Sequence, residues 1–105
     1  MTHVRKFPIV YLDTGITRQV LSDSPELMVV AFGFETGAQG ALHSHPHVQS
    51  TYVEAGRFRF TAGEETFEVG QGDSFVLPSG VAHGCECLEP GRLIVTFAPR
   101  RDDFL

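Results

Sequence analysis

The chain has 105 residues, 42% of them hydrophobic, and a formal net charge of −5. This length fits one domain, residues 1–105, whose core needs no disulfide staples. The negative net charge argues against nucleic-acid binding, which requires a positively charged surface. No apolar run approaches the ~20 residues that span a bilayer.

The N-terminal segment and the cysteines indicate a cytoplasmic protein. Residues 1–6 lack the apolar core of a signal peptide, and His3 within them is assigned no role. Cys85 and Cys87 are separated by one residue, so a disulfide between them would close a loop too small to constrain the chain. We therefore expect two reduced thiols in a reducing cytosol.

Apolar runs and alternating segments predict β-strands in the first two thirds of the chain. Residues 27–34 form a nearly continuous apolar run, which is typical of a strand covered on both faces. Residues 57–60 alternate between arginine and phenylalanine, and the alternation resumes with Phe67 and Val69 after a turn at 62–65. This pattern predicts an antiparallel hairpin with one wet face.

Two further strands are predicted nearer the C-terminus. Residues 74–77 run into a Pro-Ser-Gly turn, and residues 92–97 form a second apolar segment. No stretch combines a helical period with the length of a helix. The sequence thus predicts an all-β fold of eight to ten short strands in a double-sheet barrel.

The final segment, 99–105, is polar and then apolar, and it is either docked on the domain or frayed.

Two segments punctuated by glycines, 37–56 and 72–87, carry metal-ligand side chains. His43 and His45 are two residues apart on an extended segment, so they share a face; Gln49 follows them, and His83 comes after the turn at Pro78. Imidazole and amide ligands suit one divalent transition metal, namely Ni, Fe, Mn, Zn or Cu. Either segment alone is weak evidence, but together they predict a mononuclear site with coordination positions open to water or substrate.

Three neighbouring residues have less direct interpretations. His47 continues the His-x-His string, but Pro46 should break the alternation, which favours a position at the rim or behind the ligands. Cys85 and Cys87 lie two and four residues after His83, so a regular strand would turn both thiols inward as small apolar filler. A thiolate ligand is the lesser alternative.

The two segments resemble the signature motifs of the cupin superfamily, whose members are small jelly-roll barrels (double-stranded β-helices) that often bind one metal. The superfamily usually has Glu where this chain has Gln49, and Asn where it has Cys87. The resemblance implies a fold, but one fold hosts many chemistries.

The glutamine and the C-terminal tail narrow the resemblance to the KdgF-like pectin-degradation cupins. Their tail pattern, Pro-x-Arg-x-Asp-Phe, maps onto Pro99, Arg101, Asp103 and Phe104. That family linearises 4,5-unsaturated uronate monomers. The resemblance implies Asp103 as general acid/base, and Arg101 either as partner of the substrate carboxylate or as the residue that holds Asp103. Phe104 would dock the tail.

Other assignments remain open from the sequence. Tyr52 either contacts the substrate or packs, and Arg57 and Arg59 either line the pocket or lie on a wet outer face. The resemblance implies a homodimer, for which residues 7–11 are a candidate edge. A mononuclear-metal oxygenase acting on another small molecule and a non-enzymatic sugar- or ligand-binding cupin are the alternative functions.

Overall fold

The fold is an antiparallel β-barrel, seen in a computed structural model that describes residues 4–12 and 14–105; His3 lies outside them. Within these residues there are eight strands and one 3₁₀ helix, η1 (Asp102–Phe104). The strands are β1 (Val10–Tyr11), β2 (Ile16–Ser24), β3 (Leu27–Phe34), β4 (Gln39–His43), β5 (Val48–Ala62), β6 (Glu65–Gly70), β7 (Ser74–Leu77) and β8 (His83–Ala98). The prediction of an all-β fold is confirmed.

Two long strands, β5 and β8, hold the barrel together. They pair with each other along their lengths, from Val48 opposite Ala98 to Ala62 opposite His83. The first half of β5 also pairs with β7 and the second half with β6, while β8 pairs with β4 and then with β3. Each long strand therefore pairs with one neighbour along its first half and with another along its second half.

A glycine allows β5 to bend between its two halves. The pairing with β8 shifts register around residues 53–58, and Gly56 there has a φ of +84°. A Cβ atom on Gly56 would lie 2.6 Å from the Cα of Gly91 and 2.6 Å from the carbonyl oxygen of Pro90. Only glycine supplies both this conformation and this close approach.

The predicted hairpin is confirmed, and its arginines lie outside. β5 and β6 pair from Arg57 opposite Gly70 to Ala62 opposite Glu65. Arg57 and Arg59 form surface ion pairs with Glu68, at 2.7 Å and 3.6 Å. Of the two positions expected for these arginines, the pocket wall and the solvent-exposed outer face, both therefore occupy the second.

The barrel interior is rich in phenylalanine. Phe58 and Phe97 are fully or almost fully buried, and Phe60 contacts Phe75 edge-to-face at 4.8 Å between ring centroids. The strand predicted at 27–34 matches β3, and its buried residues include Met28 and Val30. These inward side chains belong to, or pack against, one hydrophobic core cluster.

No helix within residues 4–12 and 14–105 is long and apolar enough to cross a membrane.

Candidate metal centre

Three imidazoles converge at one end of the barrel. His43 ends β4, His45 lies in the following loop, and His83 begins β8, paired with His43. One ring nitrogen from each histidine lies within 4.8 Å of the others. Two metal–nitrogen bonds of about 2.1 Å on opposite sides of an ion span about 4 Å, so small side-chain adjustments would let all three share one ion.

Backbone carbonyls orient the three rings in the same way. The Nδ1 atoms of His43, His45 and His83 lie 2.7, 3.2 and 3.1 Å from the carbonyl oxygens of Ala41, His47 and Val81, respectively. Each Nδ1 therefore carries the proton and donates it to a carbonyl, which leaves the Nε2 lone pair free. This is the arrangement by which proteins fix metal-binding histidines.

Gln49 directs its amide oxygen at the same point. Gln49 is 7% exposed, and its Oε1 lies 2.9 Å from His45 Nε2. His45 thus has an oxygen acceptor beside each ring nitrogen, which a neutral imidazole with one proton cannot satisfy. A cation shared by Nε2 and Oε1 resolves this conflict, and a spacing near 3 Å suits neighbouring ligands with bonds of about 2.1 Å.

Burial favours the neutral form of two of the candidate ligands. Desolvation lowers the pKa of His45, partly offset by its hydrogen bond with Gln49, and desolvation also lowers the pKa of His83. A neutral imidazole is the form that ligates metal. The geometry and the donor set therefore fit a divalent metal ion held by three nitrogens and one neutral oxygen.

A mostly apolar cavity of about 170 Å³ opens beside these ligands. Its volume is below the roughly 300–1,000 Å³ of drug-sized pockets, so it suits a small ligand. Polar atoms come from His43, His83, Gln49 and Arg101, and none of the described lining residues is a carboxylate. The apolar part of the wall is formed by Leu12, Ile16, Phe32, Phe34, Phe60, Leu93, Val95, Phe97 and Phe104.

The C-terminal tail closes one side of this cavity. Phe104 contacts Phe97 edge-to-face at 5.8 Å between centroids. The guanidinium carbons of Arg18 and Arg101 each lie 4.3 Å from its ring centroid. The tail is thus docked rather than frayed, and Arg101 lines the cavity with a side chain only 13% exposed.

Asp103 does not line the cavity. Its carboxylate accepts two hydrogen bonds from Arg101, at 3.0 and 2.8 Å, and its side chain is 61% exposed. This bond and the nearby positive charge lower the pKa of Asp103. Of the two roles expected for Arg101, the observed contact is the one in which it holds Asp103.

Tyr52 is not brought to the site. It follows Thr51 on β5, so it points away from the face that carries Gln49. Tyr52 is 44% exposed on the outside of the barrel. The substrate contact expected for Tyr52 is therefore incompatible with this position.

The remaining predicted neighbours lie outside the candidate ligand set. His47 packs against the ring of His45, and its Nε2 donates to the carbonyl oxygen of Arg100 at 3.0 Å. Cys85 lines the cavity and Cys87 is buried in the core, both as free thiols. Burial raises the pKa of Cys85 to about 11 and also raises that of Cys87, so both stay protonated.

Two features of the site were not found from the sequence. Arg100 forms a two-point ion pair with Asp23, at 3.0 and 2.6 Å, which ties the tail to β2. The two residues are 77 positions apart in the sequence, so no local pattern predicts their pairing. Thr51 accepts a hydrogen bond from Gln49, and here the alternation of β5 did offer a signal, since residues 49 and 51 share a face.

Comparisons with known proteins agree with this architecture. The family model described as "Cupin domain" matches residues 30–97. Pectin degradation protein KdgF of Dickeya dadantii (strain 3937) is 38% identical over 96 residues, covering 90% of this chain and 87% of that protein.

Two solved structures are similar over nearly their whole length. KdgF from Halomonas sp. has a TM-score of 0.89 and 38% identity, covering 93% of each chain. An RmlC-like cupin from Shewanella frigidimarina NCIMB 400 has a TM-score of 0.91 and 39% identity, covering 94% of this chain and 89% of that one.

Proposed function

Since the chain belongs to the cupin family and, within it, to the family of pectin degradation protein KdgF, we propose that it linearises 4,5-unsaturated uronate monomers. The product is the ketonised 4-deoxy-5-keto-uronate. The observation that carries this proposal is the convergence of three histidine nitrogens and the Gln49 oxygen beside a small cavity lined by Arg101.

The proposed ligand set is His43, His45, Gln49 and His83. All four are neutral ligands, so a divalent ion would keep its full charge, and that charge attracts an anionic substrate. When bound, the metal supplies a Lewis acid that stabilises negative charge developing on substrate oxygens. Ni, Fe, Mn, Zn and Cu all accept such ligands.

Arg101 is the proposed anchor for the substrate carboxylate. Its planar guanidinium forms paired hydrogen bonds with carboxylates, as it does with Asp103 here. Arg101 stacks on Phe104, and this contact holds the guanidinium at the cavity wall. We propose that Phe104 also contacts the substrate. We propose that Asp103 keeps Arg101 oriented, and that the apolar wall limits the water around the opened ring.

Acid/base catalysis by Asp103 remains a prediction, and it requires the carboxyl group to reach the substrate. Ring opening gives an enol whose carbon must gain a proton. Asp103 is ionised and engaged with Arg101 on the outer side of the tail, so it would have to leave that pair to deliver a proton. A pH–rate profile separates the two roles, because loss of a general acid removes one limb of the profile and loss of a positioning residue does not.

The proposed function is tested by adding the monomer from unsaturated galacturonate to the metal-loaded protein, while conjugated-bond absorbance and dissolved oxygen are recorded together. We expect absorbance to fall with no oxygen uptake. Stoichiometric oxygen uptake would support the oxygenase alternative. Metal-loaded protein that binds the uronate without turnover would support the ligand-binding alternative.

We also propose a cytoplasmic homodimer. Val48, Tyr52 and Val76 are 44%, 44% and 61% exposed on the outer face of the paired strands β5 and β7. The residues between them, Ser50 and Ser74, are uncharged. This apolar face is a second candidate surface beside segment 7–11, in which Val10 and Tyr11 form the edge strand β1.

A further inference from the structure

We infer that Thr51 is a positioning residue that makes Gln49 present its oxygen, and not its NH₂ group, to the metal. The inference rests on the proposed metal site. Gln49 Nε2 donates to Thr51 Oγ1 at 3.0 Å while Gln49 Oε1 lies 2.9 Å from His45 Nε2. One end of the amide is thus held by Thr51, and the opposite end faces the ligands.

The direction of this amide decides whether Gln49 can be a ligand. An amide oxygen has lone pairs for a cation, whereas the NH₂ group has only donor hydrogens to offer. A half-turn about the last side-chain bond would exchange the two and point N–H groups at the ion. A glutamine ligand therefore needs a partner for its NH₂ group on the side away from the metal.

Thr51 is suited to this role by its position. Residues 49 and 51 lie on the same face of β5, and Thr51 is 0% exposed, so water does not compete for its hydroxyl. No other hydrogen bond of Gln49 Nε2 is found among the described side chains. Removal of the hydroxyl would leave a buried NH₂ group without a partner, which favours its rotation toward another acceptor.

The requirement applies to glutamine and not to glutamate. Both ends of a carboxylate are oxygens, so Glu at position 49 would present a ligand whichever way it turned. The Thr51 hydroxyl should therefore matter for metal binding when residue 49 is Gln and lose most of its importance when residue 49 is Glu. This difference separates an effect on amide direction from a general effect on packing.

The test is a double-mutant cycle on the full chain, with Co²⁺ as the probe. Affinity is measured by competition with a chromophoric chelator, and the visible d–d spectrum reports the ligand set. The proteins are the wild type, Thr51→Val, Thr51→Ser, Gln49→Glu and Gln49→Glu/Thr51→Val. Valine matches threonine in shape without the hydroxyl, and serine restores the hydroxyl.

We expect Thr51→Val to weaken Co²⁺ binding by about 10- to 100-fold and to change the spectrum, as loss of outer-shell partners does at other metal sites. Thr51→Ser should stay within about threefold of the wild type. In the Gln49→Glu background, Thr51→Val should change the affinity by no more than about twofold, because the coupling is then absent.

Two results would overturn the role of Thr51 while leaving the proposed metal site intact. One is wild-type affinity and spectrum in Thr51→Val. The other is an equal loss from Thr51→Val in both backgrounds, which would indicate packing. Failure of the wild-type protein to bind Co²⁺ at all would instead overturn the metal site, and the inference with it. A melting curve for each variant shows that the measured protein is folded.

Discussion

At the scale of single residues, the site depends on the direction of lone pairs. Three backbone carbonyls hold the Nδ1 protons of His43, His45 and His83, so the three Nε2 atoms face a common point. The sequence motif predicts which residues meet, because glycine spacing and strand alternation are local properties. It does not predict the tautomers, which depend on carbonyls placed by the fold.

Replacing His83 with Ala should remove the metal and abolish turnover, because this buried residue supplies one of the three proposed imidazole ligands. Metal content by elemental analysis and the absorbance assay check this. His47→Ala is the matched control for metal content, since His47 donates to the Arg100 carbonyl and lies outside the ligand set. Equal metal content in the wild type and His83→Ala would contradict the assignment.

Replacing Arg101 with Lys should raise KM for the uronate by about 10- to 100-fold, which corresponds to the ~1.5–3 kcal/mol of hydrogen bonds to a charged group. Lysine keeps the charge but loses the paired geometry. Steady-state kinetics check this, with metal content measured in parallel. A KM equal to that of the wild type would show that Arg101 does not bind the carboxylate.

Replacing Asp103 with Asn should raise KM while leaving the shape of the pH–rate profile unchanged, because its carboxylate orients Arg101. The effect should be smaller than that of Arg101→Lys, since the cation itself remains. If the pH–rate profile instead lost one limb while KM stayed unchanged, Asp103 would be the general acid/base.

At the scale of elements, the C-terminal tail is a docked segment held by a distant ion pair. The Asp23 side chain is 2% exposed, and its bond to Arg100 lowers its pKa. Because the folded-state pKa is depressed, the stabilisation is present above the unfolded-state value, near pH 4, and is lost as the pH falls through the folded-state pKa.

Asp23→Asn should therefore lower the melting temperature by a few degrees at neutral pH, and the difference from the wild type should shrink below about pH 4. Circular dichroism melts across a pH series measure this. Glu64→Gln, an exposed substitution in the β5–β6 turn, is the control and should leave the melting temperature unchanged. A pH-independent difference for Asp23→Asn would show that the ion pair is not its source.

The bend in β5 gives a second prediction at this scale. Gly56→Ala adds a Cβ atom 2.6 Å from the Cα of Gly91 in a positive-φ conformation, and should cost about 3 kcal/mol or more. Gly72→Ala is the matched control, with φ +92° and no atom within 4 Å of the added carbon, and should cost about 1–2 kcal/mol. Urea unfolding compares the two, and equal costs would contradict the close-approach argument.

At the scale of the whole molecule, local sequence patterns predict the strands of the barrel. They do not predict how the C-terminal tail is held, which depends on non-local contacts. The strand at 27–34 and the hairpin through residues 57–69 follow from runs and alternation that lie within a few residues. The Asp23–Arg100 pair joins residues 77 apart, and no local pattern contains that information. The outward position of Tyr52, in contrast, follows from its offset of three residues from Gln49 once both residues are known to lie on one strand.

The proposed homodimer belongs to this scale as well. Light scattering after size-exclusion chromatography should give twice the 11.5 kDa chain mass. Val76→Arg, on the outer face of β7, should shift the protein toward monomer, because a buried unpaired charge opposes association. Tyr11→Arg on the edge strand β1 is the comparison, and dissociation by Tyr11→Arg alone would place the interface at segment 7–11.

The central claim is that one cation, held by His43, His45, Gln49 and His83, is needed for uronate linearisation. The most direct test adds a divalent metal stepwise to chelator-treated, metal-free protein while the absorbance assay records the initial rate. We expect a rate near zero without metal, a linear rise to one equivalent per chain, and a plateau beyond it. A full rate in the metal-free protein would show that the ion plays no part in turnover.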